Sequence, residues 1–230
     1  MSLNRSPSPA VQRVRGWPLI GALGAGAFLV VAGIFVIATP FGGSDESEGS
    51  RYIEAIVGAP QRVNPLFVHF SDVDRDISSL VFSGLTRLDK DGTPLPDLAE
   101  TWEVSNDGLE VTFNLRSGIS WHTGPAFTSD DVLFTFGLLA DPTLPGDPEQ
   151  ATLWQSIDCA APDALTVVCT LPEPYAPFLT YASVGILPRH VLESVTATGL
   201  AEDPFNRAPV GTGPFRLSQL DNTRALLRAN

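Results

Sequence analysis

The chain has 230 residues, with 26 acidic side chains against 14 Lys and Arg, and a net charge of −12. A nucleic-acid-binding protein needs a basic face against the phosphates, so this charge argues against nucleic acid as a partner. The charge suits a protein surface exposed to water outside the cytoplasm. The three histidines are scattered and none has metal-ligand spacing, so we expect no metal site and no cofactor.

Residues 17–39 form an apolar stretch without a charged side chain. About 20 apolar residues are enough to cross a bilayer core. Three arginines precede the stretch and no Lys or Arg follows before Arg51, so the positive-inside rule places residues 1–16 in the cytoplasm. We therefore predict a signal-anchor helix at 17–39 that crosses the cell membrane once. A cleaved secretory signal peptide is the alternative, and both place the rest of the chain outside the cytoplasm.

A globular pattern follows the membrane segment. Residues 40–50 are polar and glycine-rich, which is typical of a flexible linker, and residues 51–230 carry the periodic apolar patterns. The first pattern predicts a strand over 52–57. The second predicts a helix over 72–82, with Ser71 as its N-cap and acidic residues in its first turn.

A hairpin over residues 102–115 is the clearest local signal in the chain. Apolar and polar side chains alternate beyond the Asn-Asp-Gly turn at 106–108, as a half-buried antiparallel pair requires. A short strand is predicted just before it, at 85–88.

A second helix is predicted after the hairpin. Thr128 and Asp131 have the spacing of a capping box, and the helix is expected to end before Pro142. Asp130 and Asp131 are adjacent carboxylates in the first helical turn, where acids complement the helix dipole, so we interpret them as capping residues and not as an acid–base pair. A loop rich in proline and acidic residues is expected next.

The remaining segments predict further short elements. We expect strands near Ile157 and over 165–171, short helices over 177–181 and 188–195, and two strands within 213–229. Helices and hairpins are mixed along the chain, which favours an α+β fold with a mostly antiparallel sheet.

The two cysteines, Cys159 and Cys169, flank a turn between two apolar runs. An oxidising compartment outside the cytoplasm makes a disulfide across this hairpin the favoured interpretation. Two free, half-buried thiols remain the alternative.

Catalytic motifs are missing from the sequence. It has no Gly-x-Ser-x-Gly elbow, no His-Glu-x-x-His pair and no phosphate-binding Gly-Lys-Thr/Ser loop. The Gly211–Gly213 segment predicts a turn that enters a strand, and His122 is expected at the surface. These observations disfavour a secreted hydrolase and favour a binding protein that is not an enzyme.

An ordered string of short motifs carries a family resemblance over residues 51–230. In chain order the motifs are Pro60-x-x-x-Asn64-Pro65-Leu66, Phe82-Ser83-Gly84-Leu85, Asp89-x-Asp91-Gly92, Pro96-x-Leu98-Ala99-Glu100-x-Trp102, Phe113-x-Leu115-Arg116, Gly118-Ile119-x-Trp121-His122-x-Gly124, Phe127-Thr128-x-x-Asp131-Val132-x-Phe134, Leu187-Pro188-x-His190 and Val210-Gly211-Thr212-Gly213-Pro214-Phe215. In order and spacing this string resembles the extracellular solute-binding proteins of family 5. These are the peptide- and nickel-binding components of ABC importers.

The resemblance implies a fold and a function. It implies a bilobal periplasmic-binding-protein-like fold of class II, incomplete here because family members are usually more than twice this length. It also implies a substrate-binding subunit that captures peptides or a related small solute outside the membrane and delivers them to ABC permease subunits. ATP is hydrolysed by other subunits, so this chain binds and does not catalyse. An extracytoplasmic sensor or scaffold that reuses the same lobe is the alternative.

Most motif residues are expected to be scaffold. We expect the aromatic members in the core and the glycines in turns, namely Trp102, Phe113, Trp121, Phe134 and Phe215 in the first group and Gly92, Gly108, Gly118 and Gly124 in the second. Loop positions at strand and helix ends are the predicted ligand-binding residues: Ala59, Gln61, Arg62 and Asn64 after the first strand, and Ser83 and Gly84 after the first helix.

Overall fold

The computed structural model describes residues 52–230, apart from the side chain of Phe70. The predicted cytoplasmic N-terminus at 1–16, the membrane anchor at 17–39 and the linker at 40–50 lie outside the described residues. Within residues 52–230, no helix combines the length and apolar character needed to cross a membrane.

Six helices and eight strands make up the described part of the chain. The helices are α1 (Asp72–Val81), α2 (Ser129–Ala140), α3 (Pro148–Gln155), α4 (Phe178–Tyr181), α5 (Arg189–Leu192) and α6 (Ala197–Leu200). The strands are β1 (Thr86–Leu88), β2 (Pro94–Pro96), β3 (Ala99–Val104), β4 (Glu110–Leu115), β5 (Asp158–Asp163), β6 (Thr166–Thr170), β7 (Phe215–Leu220) and β8 (Ala225–Ala229). Two short 3-10 turns, Val68–Phe70 and Pro204–Arg207, complete the list. The α+β class is confirmed.

An antiparallel sheet in the order β3-β4-β6-β5 forms the centre of the fold. The predicted hairpin is its first half, and Trp102 lies opposite Phe113 in the register. Two separate hairpins, β1 with β2 and β7 with β8, flank the sheet in sequence. All the pairings are antiparallel, as the many predicted hairpins indicated.

One face of this sheet enters the hydrophobic core. Val111, Phe113 and Leu115 of β4 alternate with less buried residues, and Val167 and Cys169 of β6 are fully buried beside them. A chain of aromatic contacts extends the core toward the helices: Phe113 packs on Phe178, Phe178 on Trp154, and Trp154 on Phe136, with centroids 4.4 to 6.1 Å apart. The predicted core residues Phe113 and Trp121 are buried, and Trp102 and Phe134 are partly buried against the core. Phe215 is 36% exposed, so its assignment to the core was wrong.

The cysteine pair lies within the sheet. Cys159 of β5 and Cys169 of β6 face each other in the register and are joined by a disulfide, with their Cα atoms 4.1 Å apart. The bond links an edge strand to its inner neighbour.

The predicted strand over 52–57 does not form. Its residues have no regular secondary structure and are exposed, with Tyr52 at 84% and Val57 at 100%. A strand needs a partner for its backbone N–H and C=O groups. No strand of the described residues pairs with this segment, which is exposed to solvent.

Helix α3 was not predicted, because the segment after α2 was interpreted as a loop. Asp147 accepts a hydrogen bond from the Glu149 amide at 2.9 Å and acts as the N-cap, with Pro148 in the first turn. Both features are ordinary helix-start signals. The Trp154 side chain, which is 2% exposed, anchors α3 to the core.

Candidate functional site

Three of the predicted ligand-binding residues lie together. Ala59, Gln61 and Arg62 line a cavity of about 510 Å³, together with Asp203 and Arg207. The amides of Gln61 and Arg62 donate to the Asp74 carboxylate at 2.8 and 3.1 Å. These two amides are therefore engaged with the start of α1, and any ligand in this cavity would meet side chains.

Asn64 is fully buried beneath that cavity. Its Oδ1 accepts from the Leu66 amide at 3.0 Å, and its Nδ2 donates to Oδ1 of Asn206 at 2.9 Å. Asn206 in turn donates to the Leu200 carbonyl. These contacts make Asn64 a link between two distant parts of the chain.

Ser83 and Gly84 lie elsewhere, at the end of α1. Burial raises the pKa of the Asp97 carboxyl above its usual range. The Ser83 hydroxyl and the Gly84 amide donate hydrogen bonds to this carboxyl and oppose the rise. A Cβ on Gly84 would lie 2.5 Å from the Ser183 carbonyl oxygen. Only glycine therefore fits at this position. The structure thus distributes the six predicted residues over three places, and their role in ligand binding stays a prediction.

A separate cleft lies beside α1 and α3. Its first part is a cavity of about 430 Å³ whose walls are mainly small or apolar, including Pro65, Phe82 and Gly185. Ser78 of α1 also lines it. Ser78 is 3% exposed, and its Oγ has no hydrogen-bond partner among the described residues.

The second part of the cleft is a cavity of about 530 Å³ along α3. The two cavities share His69, Gln150 and Tyr181, so they are adjacent, and we call them together the α3 cleft. Tyr175 and Tyr181 stand in its wall with ring centroids 6.0 Å apart. The hydrogen bond with Tyr175, followed by burial and nearby negative charge, raises the pKa of the Tyr181 hydroxyl.

The α3 cleft is a concave surface of the size that ligand sites have. Ligand sites are concave and mostly apolar, with a few polar groups that fix orientation. The first cavity has that composition, whereas acidic and polar side chains line much of the second. Among residues 52–230, no group of three His, Cys, Asp or Glu side chains could hold a metal ion.

The Asp131 carboxylate joins several parts of the fold through hydrogen bonds. Its carboxylate accepts from Trp121 Nε1 at 3.2 Å, from the Thr128 amide at 3.1 Å and from the Arg189 amide at 3.0 Å. The capping box is confirmed, and it also ties α2 to α5. Asp130 lies outside this network and pairs with Arg189 at 2.9 Å on the surface.

His122 is half-buried, although the sequence favoured a surface position over a polar lining. Its Nε2 lies 3.0 Å from the Gly213 carbonyl, and its Nδ1 accepts from the Gly211 amide at 3.2 Å. A carbonyl only accepts, so these partners require the neutral ring with the proton on Nε2. Burial lowers the pKa of His122, and the hydrogen bond with the Gly213 carbonyl opposes this shift by a smaller amount. The ring thereby fastens the Gly211–Gly213 turn, whose glycines pack against the Val81 carbonyl.

Comparison with known proteins identifies the kind of protein to which this cleft belongs. The family model described as "Bacterial extracellular solute-binding proteins, family 5 Middle" matches residues 93–230. The dipeptide-binding protein of Escherichia coli is 33% identical over 190 residues, which cover 70% of this chain and 34% of that protein.

Two solved structures share the fold. NikZ from Campylobacter jejuni, in complex with Ni(L-His), has a TM-score of 0.65 at 33% identity and is matched over 77% of this chain and 34% of its own. The oligopeptide-binding protein AppA from Bacillus subtilis, in complex with a nonapeptide, has a TM-score of 0.68 at 27% identity, over 76% and 35%. The chain therefore spans about a third of the length of these relatives. The described residues have the fold of part of a periplasmic-binding-protein-like molecule.

Proposed function

This chain belongs to family 5 of the bacterial extracellular solute-binding proteins. We propose that it forms part of the solute-binding site of an ABC importer. In this proposal the chain captures a peptide, or a related small solute, outside the membrane and presents it to permease subunits. Peptide is the first choice of solute because two of the three similar proteins named above are peptide-binding by name.

The α3 cleft is the observation that supports this proposal. It combines about 430 Å³ and 530 Å³ of adjacent space, with mainly small or apolar side chains around the first cavity and acidic and aromatic ones around the second. A buried serine hydroxyl without a protein partner in the first cavity is suited to a hydrogen bond from a bound solute.

Membrane attachment is part of the same proposal. Residues 17–39 would hold the protein at the cell membrane with residues 1–16 inside, and 40–50 would tether the solute-binding part, residues 51–230, outside. A random coil of eleven residues spans roughly 15 to 20 Å, which suffices to reach a neighbouring permease. After cell fractionation, we expect the full chain in the membrane fraction, and recovery wholly in the soluble fraction would refute the tether.

Peptide binding is tested on the full chain purified in mild detergent. We expect a mixed peptide library to raise the melting temperature, because a ligand at 100 times its dissociation constant adds about 2.7 kcal/mol of stability. Ser79 of α1 is exposed and lines the cleft, so Ser79→Phe should fill it and abolish the rise. Asp76→Phe places the same ring on the same helix outside both cavities and should preserve the rise.

Two results would count against the proposal. An unchanged melting temperature with every peptide pool would remove the peptide assignment. Peptide binding by a chain that does not associate with permease subunits in membranes would favour an extracytoplasmic sensor or scaffold instead.

A further inference from the structure

The α3 end of the cleft is acidic. Asp147, Glu149 and Glu173 line the 530 Å³ cavity, and its wall contains no Lys or Arg. The Asp147 carboxylate caps α3 through one oxygen. Neither Glu149 nor Glu173 forms an ion pair within residues 52–230. Negative charge is therefore concentrated in a concave part of the surface.

Some exposed acids elsewhere in the described part have basic partners, whereas others, such as Glu103 and Glu110, have none among residues 52–230. Asp72 pairs with Arg75 at 2.7 Å, and Asp130 pairs with Arg189 at 2.9 Å. A cleft lined by one sign of charge focuses the field and raises the local concentration of opposite charge. Because no Lys or Arg lines the 530 Å³ cavity, its three carboxylates would attract a cation from solution, whereas Arg75 lines the 430 Å³ cavity.

The tyrosine pair adds a second attraction for a cation. Tyr175 and Tyr181 present two rings, 6.0 Å apart, in the same cavity wall as the acids. A cation over an aromatic face is attracted by the negative face of the ring. The hydrogen bond with Tyr175 and burial raise the pKa of Tyr181, and the negative charges of Asp147 and Glu149 add to this rise.

An independent observation at the other end of the cleft points to the same ligand. The Ser78 Oγ is buried in the wall of the first cavity and has no hydrogen-bond partner within residues 52–230. A buried hydroxyl is normally hydrogen-bonded. A solute that lies along both cavities would bring a polar group to Ser78 and a second group to the acids.

We propose that the α3 cleft selects solutes with an ammonium or guanidinium group, which binds among Asp147, Glu149, Glu173 and the tyrosine pair. This inference rests on the proposed solute-binding function and adds the charge of the preferred solute. A peptide with a Lys or Arg side chain and a peptide with a free N-terminal amine both carry the required group.

Matched peptides test the inference by calorimetric titration of the full chain. The cationic probe is acetyl-Ala-Ala-Lys-Ala-amide, the neutral probe replaces Lys with Gln, and a third probe is the neutral sequence with a free N-terminus. We expect the cationic probe to bind about tenfold more tightly than the neutral one, a difference equivalent to about 1.4 kcal/mol. Tighter binding of the third probe than of the neutral one would assign the site to the terminal amine.

Charge variants complete the test. In the double variant Glu149→Gln with Glu173→Gln, the preference for the cation should fall to about twofold or less. The double variant Glu103→Gln with Glu110→Gln removes the same charge from exposed sites on the β3–β4 hairpin and should keep the preference. Equal affinity for all three probes, or a preference that survives in the cleft variant, would overturn the inference and leave the proposed function standing. Failure of all probes and of the peptide library would overturn both.

Discussion

The central sheet and the segment at residues 52–57 carry similar sequence patterns but have different structures. Both patterns are typical of strands, yet β4 is paired on both sides while residues 52–57 are exposed to solvent without regular secondary structure. Strand β4 has β3 within a few residues along the chain and β6 beyond α3. The difference shows that apolar alternation indicates which residues can form a strand, whereas the availability of a partner decides whether they do.

The largest expected effect tests how much the hydrogen bonds of Asp131 contribute to the unfolding free energy. Asp131→Ala removes a carboxylate that accepts three hydrogen bonds and leaves the Trp121 and Arg189 N–H groups without their partner. We expect a loss of about 3 kcal/mol or more of unfolding free energy, measured by urea denaturation with tryptophan fluorescence. The neighbouring Asp130→Ala is the control, because it removes only a surface ion pair and should cost less than about 1 kcal/mol. Similar losses in both variants would mean that the Asp131 hydrogen bonds are not a source of stability.

An intermediate effect concerns the contact of His122 with the Gly211–Gly213 turn. Because the folded-state pKa of His122 is lowered, the unfolded chain binds a proton more readily than the folded one. Stability from this group is therefore complete above the unfolded pKa of about 6.5 and is lost as pH falls below it. We expect the melting temperature to fall between pH 7 and pH 5 by more in the native chain than in His122→Asn. A parallel fall in both proteins would assign the acid sensitivity to other groups.

The smallest expected effect concerns the unpaired segment. Val57→Ser changes a fully exposed side chain and should alter the unfolding free energy by less than about 0.5 kcal/mol. Val167→Ser makes the same change at a fully buried position of β6 and should cost about 2 kcal/mol or more. A large loss for Val57→Ser would reveal that residues 52–57 are paired in solution and would remove the contrast with β4.

Local patterns predicted most of the fold. The capping box of α2, the hairpin at 106–108 and the N-cap of α1 depend on residues within a few positions of each other, so the sequence contains all the information they need. The four turn glycines also have the positive φ that their motifs indicated. Helix α3 could have been predicted in the same way from Asp147 and Pro148, but the density of prolines was interpreted as a loop.

The candidate site could not be predicted in this way. The walls of the α3 cleft come from the segment before α1, from α1 itself, from α3 and from the residues around α4, which are far apart in sequence. Only the three-dimensional packing brings Ser78, Gln150 and Tyr181 to one cavity. The partners of His122 lie about 90 residues away, and no local pattern indicated that its ring was engaged.

The contact between Asn64 and Asn206, separated by 142 positions, has a consequence for folding during synthesis. The central sheet contains only residues between Ala99 and Thr170, so it can close while later residues are still in the ribosome. The hydrogen bonds from Asn64 to Asn206 and from Gly213 to Val81 can form only after another 36 and 43 residues beyond Thr170 have been synthesised. Until then α1 lacks its final neighbours, and closing so long a loop is an entropically slow step. The side of the molecule that holds the cleft is thus the last to assemble.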